Sequence, residues 1–462
     1  MQAVAEPDNH DMADTAERFD TLVLGLGKTG LSCVSYLAGS GETLGVADSS
    51  QAPPGLEKLK ERYPLVPFFP GEFQSGLLCR ARRLIISPGI APSHPAIRAA
   101  CRAGVEIMGD VEIFCRDINA PLIAVTGSNG KSTVVSLLAM MLERAGLRVG
   151  LGGNIGTPAL DLLSLPVPDY YLVELSSFQL ETLRSHRPVA AAVLNVSADH
   201  LDRYENIRDY ARAKENIYGG GGIMVINRDD EVVLGMLRPE RSVISYSLTQ
   251  ADADFSVSQH NGETWLMHKD SALMRQSELN LHGRHNLANV LACLALGRAL
   301  NLPMPAMLEA LRDFTGLPHR CEWVAEFNGI NWFNDSKGTN VGATLAALYG
   351  LSNNSKNILL IAGGDGKGAN FSPLKGALEK HVKSTILIGK SAKEIAAIVP
   401  DRESVFYATS MAAAVSTAFR LALPGDTVLL SPACASLDMF RNFADRGDAF
   451  KRCVAEVAAG AG

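Results

Sequence analysis

The chain has no apolar run long enough to cross a membrane, and its first residues lack the apolar core of a secretory signal. It also has no Cys-x-x-Cys pair. Its 8 cysteines are widely scattered, which excludes a zinc or disulfide framework and points to reduced thiols in a cytosolic protein. No basic run is flanked by aromatics and the formal net charge is −6, so nucleic acid is not expected as a partner. No set of His, Cys and Tyr is arranged for hydride transfer. What is present is 462 residues, 47% hydrophobic and 20% charged. That is globular material for roughly two to four domains. Residues 1–17 are polar and acidic, and a disordered tail is expected there.

The informative stretch is "PLIAVTGSNGKST", Pro121 to Thr133. Leu122 to Val125 read as a buried strand. The chain then turns through Gly127, Ser128, Asn129 and Gly130. Lys131, Ser132 and Thr133 open a helix that Gly146 is placed to stop. Strand, glycine turn, Lys-Ser and helix form a phosphate loop. Glycines let backbone N–H groups point at phosphate oxygens, and the helix N-terminus adds positive potential. The lysine reaches the outer phosphates, and Ser132 or Thr133 can ligand Mg²⁺. Val125 stands where the longer motif has its first glycine, so the loop is a shortened one.

Upstream, the strand "FDTLVLG" runs into Gly25-Leu26-Gly27-Lys28-Thr29-Gly30 and a helix. This is G-x-G-x-x-G in its strand-to-helix setting, and a second strand ends at Asp48. A third ends at Ser87-Pro88-Gly89. A Rossmann-like domain holding a nucleotide diphosphate follows; the glycine turn does not decide whether that is NAD. Downstream, strand and helix signals alternate to about residue 316. "YYLVELSSFQLE" places Glu174 in an apolar run, where a lone carboxylate is costly and a Mg²⁺ partner is suited. "AAAVLNVSADHLDRY" delivers Asn195, Asp199, His200 and Asp202; the histidine suits a second metal, a reacting phosphate or an ordinary loop. Lys214 reads as a solvated surface lysine. Asn286 and Asn289 suit adenine contacts or a helix cap. After "LPHRCEWV", three strand-then-polar-turn units carry Asp335, Ser336, Lys337 and Thr339, then Lys367, then "SPACASLDMF". They indicate another open α/β sheet whose ligands sit at strand carboxyl ends, with turns suited to an anionic substrate.

Taken together, "TGSNGKST", "ELSSFQLE", "NVSADHLDRY", "HNLAN", "GLPHR", "NDSKGTN", "GGDGK" and "SPACASLDMF" resemble the bacterial Mur ligases, from about Thr21 to the C-terminus. "SPACASLDMF" and "GLPHR" point to the branch that adds D-glutamate. The resemblance implies an α/β fold in three domains: a Rossmann-like UDP-binding domain at 18–112, a central phosphate-loop ATPase domain at 113–316, and a Rossmann-like amino-acid-binding domain at 317–462. Thr29, Asp48, Ser49, Gly89 and Asn154 would then contact the UDP-muramoyl substrate. ATP would meet Gly127, Ser128, Asn129, Gly130, Lys131, Ser132 and Thr133, with Asn286 and Asn289 at the adenine. Arg320, Asp335 and Lys337 would lie on the nucleotide side. Two Mg²⁺ sites are implied: Ser132 and Glu174 at the first, His200 at the second. Lys214 would be carbamylated and metal-facing, against its surface reading. Lys131, His200 and Lys214 would carry the chemistry. His319, Thr339, Lys367, Ser436, Leu437 and Phe443 would shape the D-glutamate site.

The implied reaction is ATP-dependent amide formation through an acyl phosphate, joining D-glutamate to UDP-MurNAc-L-Ala in cytoplasmic peptidoglycan precursor synthesis. A monomer is expected, with neither nucleic acid nor membrane as partner, and with hinges near 111–120 and 316–322. The rival readings are another ATP-dependent amide ligase (a sibling or a folylpolyglutamate synthase) and a nucleotide sensor that reads NAD at Gly25–Gly30.

Overall fold

Short apolar runs become strands and the glycine turns behind them become strand-to-helix corners. The computed structural model describes residues 18–197, 199, 203–352 and 355–460. The expected tail, His200 and Asp202 lie outside the described residues. Contacts divide the chain into two compact units. One holds the chain up to Thr126 with 148–189 and 212–222; the other holds 127–147, 190–211 and 223 onward.

The first unit contains a five-stranded parallel sheet, in the order Phe68–Pro70, Leu44–Asp48, Phe19–Leu24, Ala81–Ile86, Glu106–Met108. The second half of the central strand is apolar because both faces are covered: Leu22, Val23 and Leu24 are fully buried. Its glycine turn feeds the helix Lys28–Leu37. Gly30 allows that helix to approach, since a Cβ there would lie 1.8 Å from the Gly25 carbonyl oxygen. The same unit holds the parallel strands Leu122–Thr126, Tyr170–Glu174 and Val149–Gly153, with Glu174 beside Val125 and Gly153. The segment expected as a hinge at 111–120 is mostly the helix Asp110–Asp117. Glu112, 1% exposed, ties it down by accepting from the N–H groups of Arg184 (2.7 Å) and Ser185 (2.9 Å).

The second unit opens with the helix Lys131–Arg144. Gly146 ends it at φ +80°, with its N–H on the Glu143 carbonyl (2.9 Å) and the Leu147 N–H on Leu142 (3.0 Å). That is the two-bond glycine stop the sequence predicts. The strands Ala190–Val193, Ile223–Asn227, Val243–Tyr246 and Phe255–His260 run parallel. Glu263–His268 and Ser271–Arg275 then turn back antiparallel. This meander departs from the expected strand-helix alternation. Its cause is Asn261-Gly262, both at positive φ (52° and 81°), the signature of a two-residue hairpin turn. A six-stranded sheet follows, in the order Glu322–Phe327, Ile330–Asn334, Thr427–Leu430, Ile358–Gly363, Val382–Ile388, Val405–Tyr407. All its pairs are parallel except the first. Ile358–Gly363 feeds two cores, with Ile358, Leu360 and Ala362 on one face and Leu359 and Ile361 on the other. No described helix is long and apolar enough to cross a membrane.

Gly30→Ala should lower stability by about 3 kcal/mol, because the backbone oxygen it would strike cannot move without the strand. The denaturant midpoint measures this. Gly27→Ala, where a Cβ meets nothing within 4 Å, is the matched control and should change it little.

Candidate active site

In the second unit, one residue holds the turn before the helix Lys131–Arg144. The Asn195 carbonyl accepts the Ser128 N–H (2.9 Å), its Oδ1 accepts the Asn129 N–H (2.9 Å), and its Nδ2 donates to the Asn129 carbonyl (3.1 Å). Two loop amides therefore face Asn195 in this structure, and not outward as the motif alone suggests. Ser128 Oγ donates to the Ser197 carbonyl (3.1 Å) and accepts the Ser197 N–H (3.0 Å). Gly130 starts the helix at φ +85°, and a Cβ there would lie 2.3 Å from Asn289 Oδ1. No side chain fits both conditions. Lys131 Nζ folds back to donate to the carbonyls of Gly127 (2.7 Å) and Ser128 (2.9 Å).

A cleft of about 300 Å³ opens beside this loop, at the small end of the range for small-molecule sites. Asn129 and Gly130 line it from the loop, Thr133 from the helix behind it, Asn195 and Asn227 from strand ends, Asp230 from a helix cap, and Asn286 and Asn289 from the helix Arg284–Ala299. Arg320, Asp335 and Lys337 complete it. Arg320 Nη2 donates to Ser132 Oγ at 2.7 Å, linking the helix start to the turn after Gly316. The helix cap is Gly283, so the capping reading of the two asparagines does not hold. Asn286 Nδ2 donates to the His282 carbonyl (2.8 Å) and Asn289 Nδ2 to Asn286 Oδ1 (3.2 Å).

Asp335 sits at the end of the strand Ile330–Asn334. Its Oδ1 accepts the Cys321 N–H (3.2 Å) and its Oδ2 accepts Ser431 Oγ (2.7 Å). Burial outweighs those bonds and pushes its carboxyl up to about 7. Lys337 Nζ lies 4.2 Å from the centre of the Phe443 ring, a cation–π distance. His319 is buried, and desolvation lowers its pKa; its Nδ1 lies 2.9 Å from Asn334 Nδ2 and accepts from it. Among the acceptor residues expected from sequence, Ser436 is buried, Lys367 is exposed at φ +48°, and Leu437 is 65% exposed. Thr339 and Phe443 are half-buried.

Behind these turns lies a residue that sequence reading missed. Arg446 is 1% exposed and donates to Ser336 Oγ (3.0 Å), the Ser336 carbonyl (2.8 Å) and the carbonyls of Cys434 (3.1 Å) and Ala435 (3.3 Å). One guanidinium thus fastens the "NDSKGTN" turn to "SPACASLDMF". Its burial pulls its pKa down to about 10. An arginine within a mixed-charge helix gives no sequence signal of such a role. Asn227 and Asp230 were also missed, although a polar residue behind an apolar strand is the signal that found Glu174.

The first unit carries the remaining candidates. The Asp48 carboxylate accepts the Leu26 N–H (2.6 Å) and the Ser50 N–H (2.8 Å), so it shapes the glycine turn. Thr29 is half-buried; Ser49 and Gly89 are exposed. Glu174 is 2% exposed and its Oε1 accepts Asn154 Nδ2 at 2.7 Å, joining a metal candidate to a substrate candidate. Lys214 is 1% exposed, which overturns the solvated-surface reading. Nearby, Asn216 Nδ2 donates to the carbonyls of Leu180 (2.7 Å) and Leu183 (2.9 Å), tying the turn after Lys214 to that stretch. Among the described residues, no three His, Cys, Asp or Glu gather as a metal cage.

The domain profiles that match are the Mur ligase MurD-like N-terminal domain over residues 19–109, the Mur ligase middle domain over 125–297 and the Mur ligase glutamate ligase domain over 319–434. The chain is 50% identical over 438 residues to a UDP-N-acetylmuramoylalanine–D-glutamate ligase of Nitrosococcus oceani, covering 95% of this chain and 96% of that one. The chain belongs to the Mur ligase family. Ligases of the same name from Marinobacter nauticus and Coxiella burnetii are 48% and 46% identical over 435 residues, covering 94% of this chain and 97% and 98% of theirs. Two solved structures are similar in fold. A pseudomurein peptide ligase type C from Methanothermus fervidus has a TM-score of 0.61 at 16% identity, covering 95% of this chain and 100% of its own. MurC, a UDP-N-acetylmuramate-alanine ligase from Thermotoga maritima, has 0.57 at 18%, covering 96% and 100%. The α/β architecture of this Mur ligase is therefore shared with relatives whose sequences have diverged widely.

The Asp335 carboxyl gives this Mur ligase a testable pH signature. Its folded pKa of about 7 lies above the usual 3.8. Between those values the folded state holds a proton that the unfolded chain has released. Ionising Asp335 therefore costs stability as pH rises from about 4 to about 7. Asp335→Asn should gain stability relative to the parent over that window, by up to about 4 kcal/mol. Unfolding curves at pH 4.5, 6 and 8 measure the difference, and a difference independent of pH contradicts it.

Proposed function

We propose that the chain joins D-glutamate to the lactoyl-alanine carboxylate of UDP-MurNAc-L-Ala, with ATP cleaved to ADP and phosphate. The observation that carries this reading is the single cleft in which the phosphate-loop turn meets Arg320, Asp335 and Lys337, in a chain that matches D-glutamate ligases over nearly its full length. In this reading the domains run 18–112, 113–316 and 317–462, for uridine diphosphate, ATP and the amino acid respectively.

The donors suit the implied cofactors. Ser132 offers a hydroxyl and Glu174 a buried carboxylate, hard oxygen ligands of the kind Mg²⁺ takes together with phosphates, so a cage of three acids is not needed. His200 and a carbamylated Lys214 would serve a second Mg²⁺. The burial of Lys214 fits a role inside the fold and not in bulk solvent. Bound Mg²⁺ supplies charge neutralisation at the phosphates.

The residues then divide the labour. Lys131 exchanges its two loop carbonyls for phosphate oxygens, which repays their loss with a charge-assisted pair. The substrate carboxylate attacks the γ-phosphorus, the bond to the bridging oxygen breaks and ADP leaves. The amine of D-glutamate attacks the resulting acyl phosphate and phosphate departs. Arg320 keeps Ser132 oriented, while Asn286 and Asn289 present amides to the base. His319, Thr339, Lys367 and Ser436 bind the two carboxylates of the acceptor, with Leu437 and Phe443 covering it. Arg446 holds the turns that carry them.

ADP release should require both UDP-MurNAc-L-Ala and D-glutamate. Comparable turnover with L-glutamate or meso-diaminopimelate would reassign the acceptor. Lys131→Ala should fold and lose roughly 10²–10³-fold in kcat, as loss of one preorganised charge contact does. Lys214→Ala should be inactive and regain part of its rate with added short carboxylic acids, which would stand in for the carbamate. An active enzyme whose intact mass shows only unmodified lysine would refute the carbamate.

A further inference from the structure

Asn340 Nδ2 donates to Asp199 Oδ2 at 2.9 Å, joining two segments 141 residues apart in sequence. The amide has no freedom to turn. Asn340 caps the helix Val341–Leu351, and its Oδ1 accepts the Ala343 N–H at 2.8 Å. With the oxygen committed to the cap, the NH₂ faces Asp199. The helix start is pressed onto the same neighbourhood. A Cβ on Gly342 would lie 2.8 Å from Ser197 Oγ and 3.5 Å from Asn129 Nδ2. Asn195 and Ser197, just ahead of Asp199 in the chain, hold the phosphate-loop turn. Asn340 directly follows Lys337-Gly338-Thr339.

Ahead of the two strands that lead to this turn, Glu322–Phe327 and Ile330–Asn334, the chain bends through the left-handed region: Gly316 at φ +91°, His319 at +63° and Cys321 at +46°. Two of the three are not glycine. Such sparsely populated conformations persist where the surroundings impose them, and hinges concentrate in residues that absorb large backbone changes.

We infer that the Asn340–Asp199 hydrogen bond is the latch that holds the turn carrying Lys337 and Thr339 against the phosphate-loop segment, making Asn340 a positioning residue for amide formation. This rests on the ligase reading above. The bond has an anionic acceptor, so it is stronger than a neutral pair, and it is made only when the two segments are together. Opening it lets water reach the acyl phosphate before the amine does.

The test separates latch from cap. Asn340→Asp keeps a good helix cap but sets a second carboxylate against Asp199. It should lower kcat/KM for D-glutamate at least about tenfold while the midpoint of thermal unfolding stays within about 2 °C. The ratio of ADP released to amide formed should rise above that of the parent, which a merely structural defect would leave alone. Combining Asp199→Asn with Asn340→Asp reverses the pair and should recover most of the loss. Asn340→Ser, which caps but cannot span to Asp199, is the second variant should Asn340→Asp fail to fold. Parent kcat/KM in both Asn340 variants, or a reversed pair no better than Asn340→Asp, overturns the latch. Hydrogen exchange over residues 336–345 reads it without turnover: exchange should quicken in Asn340→Asp, and unchanged exchange also overturns it. An inactive parent with quickened exchange in the variant would instead count against the ligase reading alone.

Discussion

Asn195 sets the geometry on which the rest of the second unit depends. A glycine turn has no preferred shape of its own, since its residues gain freedom from lacking a Cβ. Here its shape comes from three hydrogen bonds to one asparagine at a strand end. Because Ser128 and Asn129 are held there, Gly130 must cross to positive φ and the helix must start at Lys131. Because Gly130 has no side chain, Asn289 can stand against it at the mouth of the cleft. A loop held this way has its shape set by the chain's own hydrogen bonds, the kind of preorganisation that charge stabilisation in a transition state requires.

The buried charges of both units follow a different rule from those on the surface. Glu174, Asp335, Lys214 and Arg446 are all largely withdrawn from solvent. Isolated charges in such places are costly, so each needs partners or a shifted pKa. Arg446 meets the condition with carbonyls and a hydroxyl, Glu174 with Asn154, and Asp335 by a raised pKa. These environments are tolerable for a protein and useful for an enzyme whose substrates are all anionic. In the proposed reaction, phosphate and carboxylate groups would meet side chains held by such partners, with Lys131 turning from its loop carbonyls to reach them.

The sequence was most legible where one local rule sufficed. The strand, glycine turn and helix around Lys131 and the glycine stop at Gly146 needed only apolar pattern and turn chemistry. The hairpin at Asn261-Gly262 was open to the same rule and was passed over in favour of regular strand-helix alternation. Lys214 could not be read from its neighbours, because its helix shows mixed charge whichever way that side chain faces; only tertiary packing buries it. Asn195, Asn340 and Arg446 are of the same kind. Their roles lie in partners tens to hundreds of residues away, and a motif's spacing contains no information about such pairings. The family resemblance supplied candidate roles for ligand-facing residues, but not the residues that hold those in place.

The central claim is that the phosphate loop serves acyl activation of a substrate carboxylate. Oxygen tracing tests it most directly. UDP-MurNAc-L-Ala labelled with ¹⁸O in its terminal carboxylate would be turned over with unlabelled ATP and D-glutamate, and the released phosphate analysed by mass. An acyl phosphate intermediate transfers one carboxylate oxygen to each phosphate, so phosphate carrying a single ¹⁸O is predicted in step with amide formed. Unlabelled phosphate accompanying full amide formation would contradict the account.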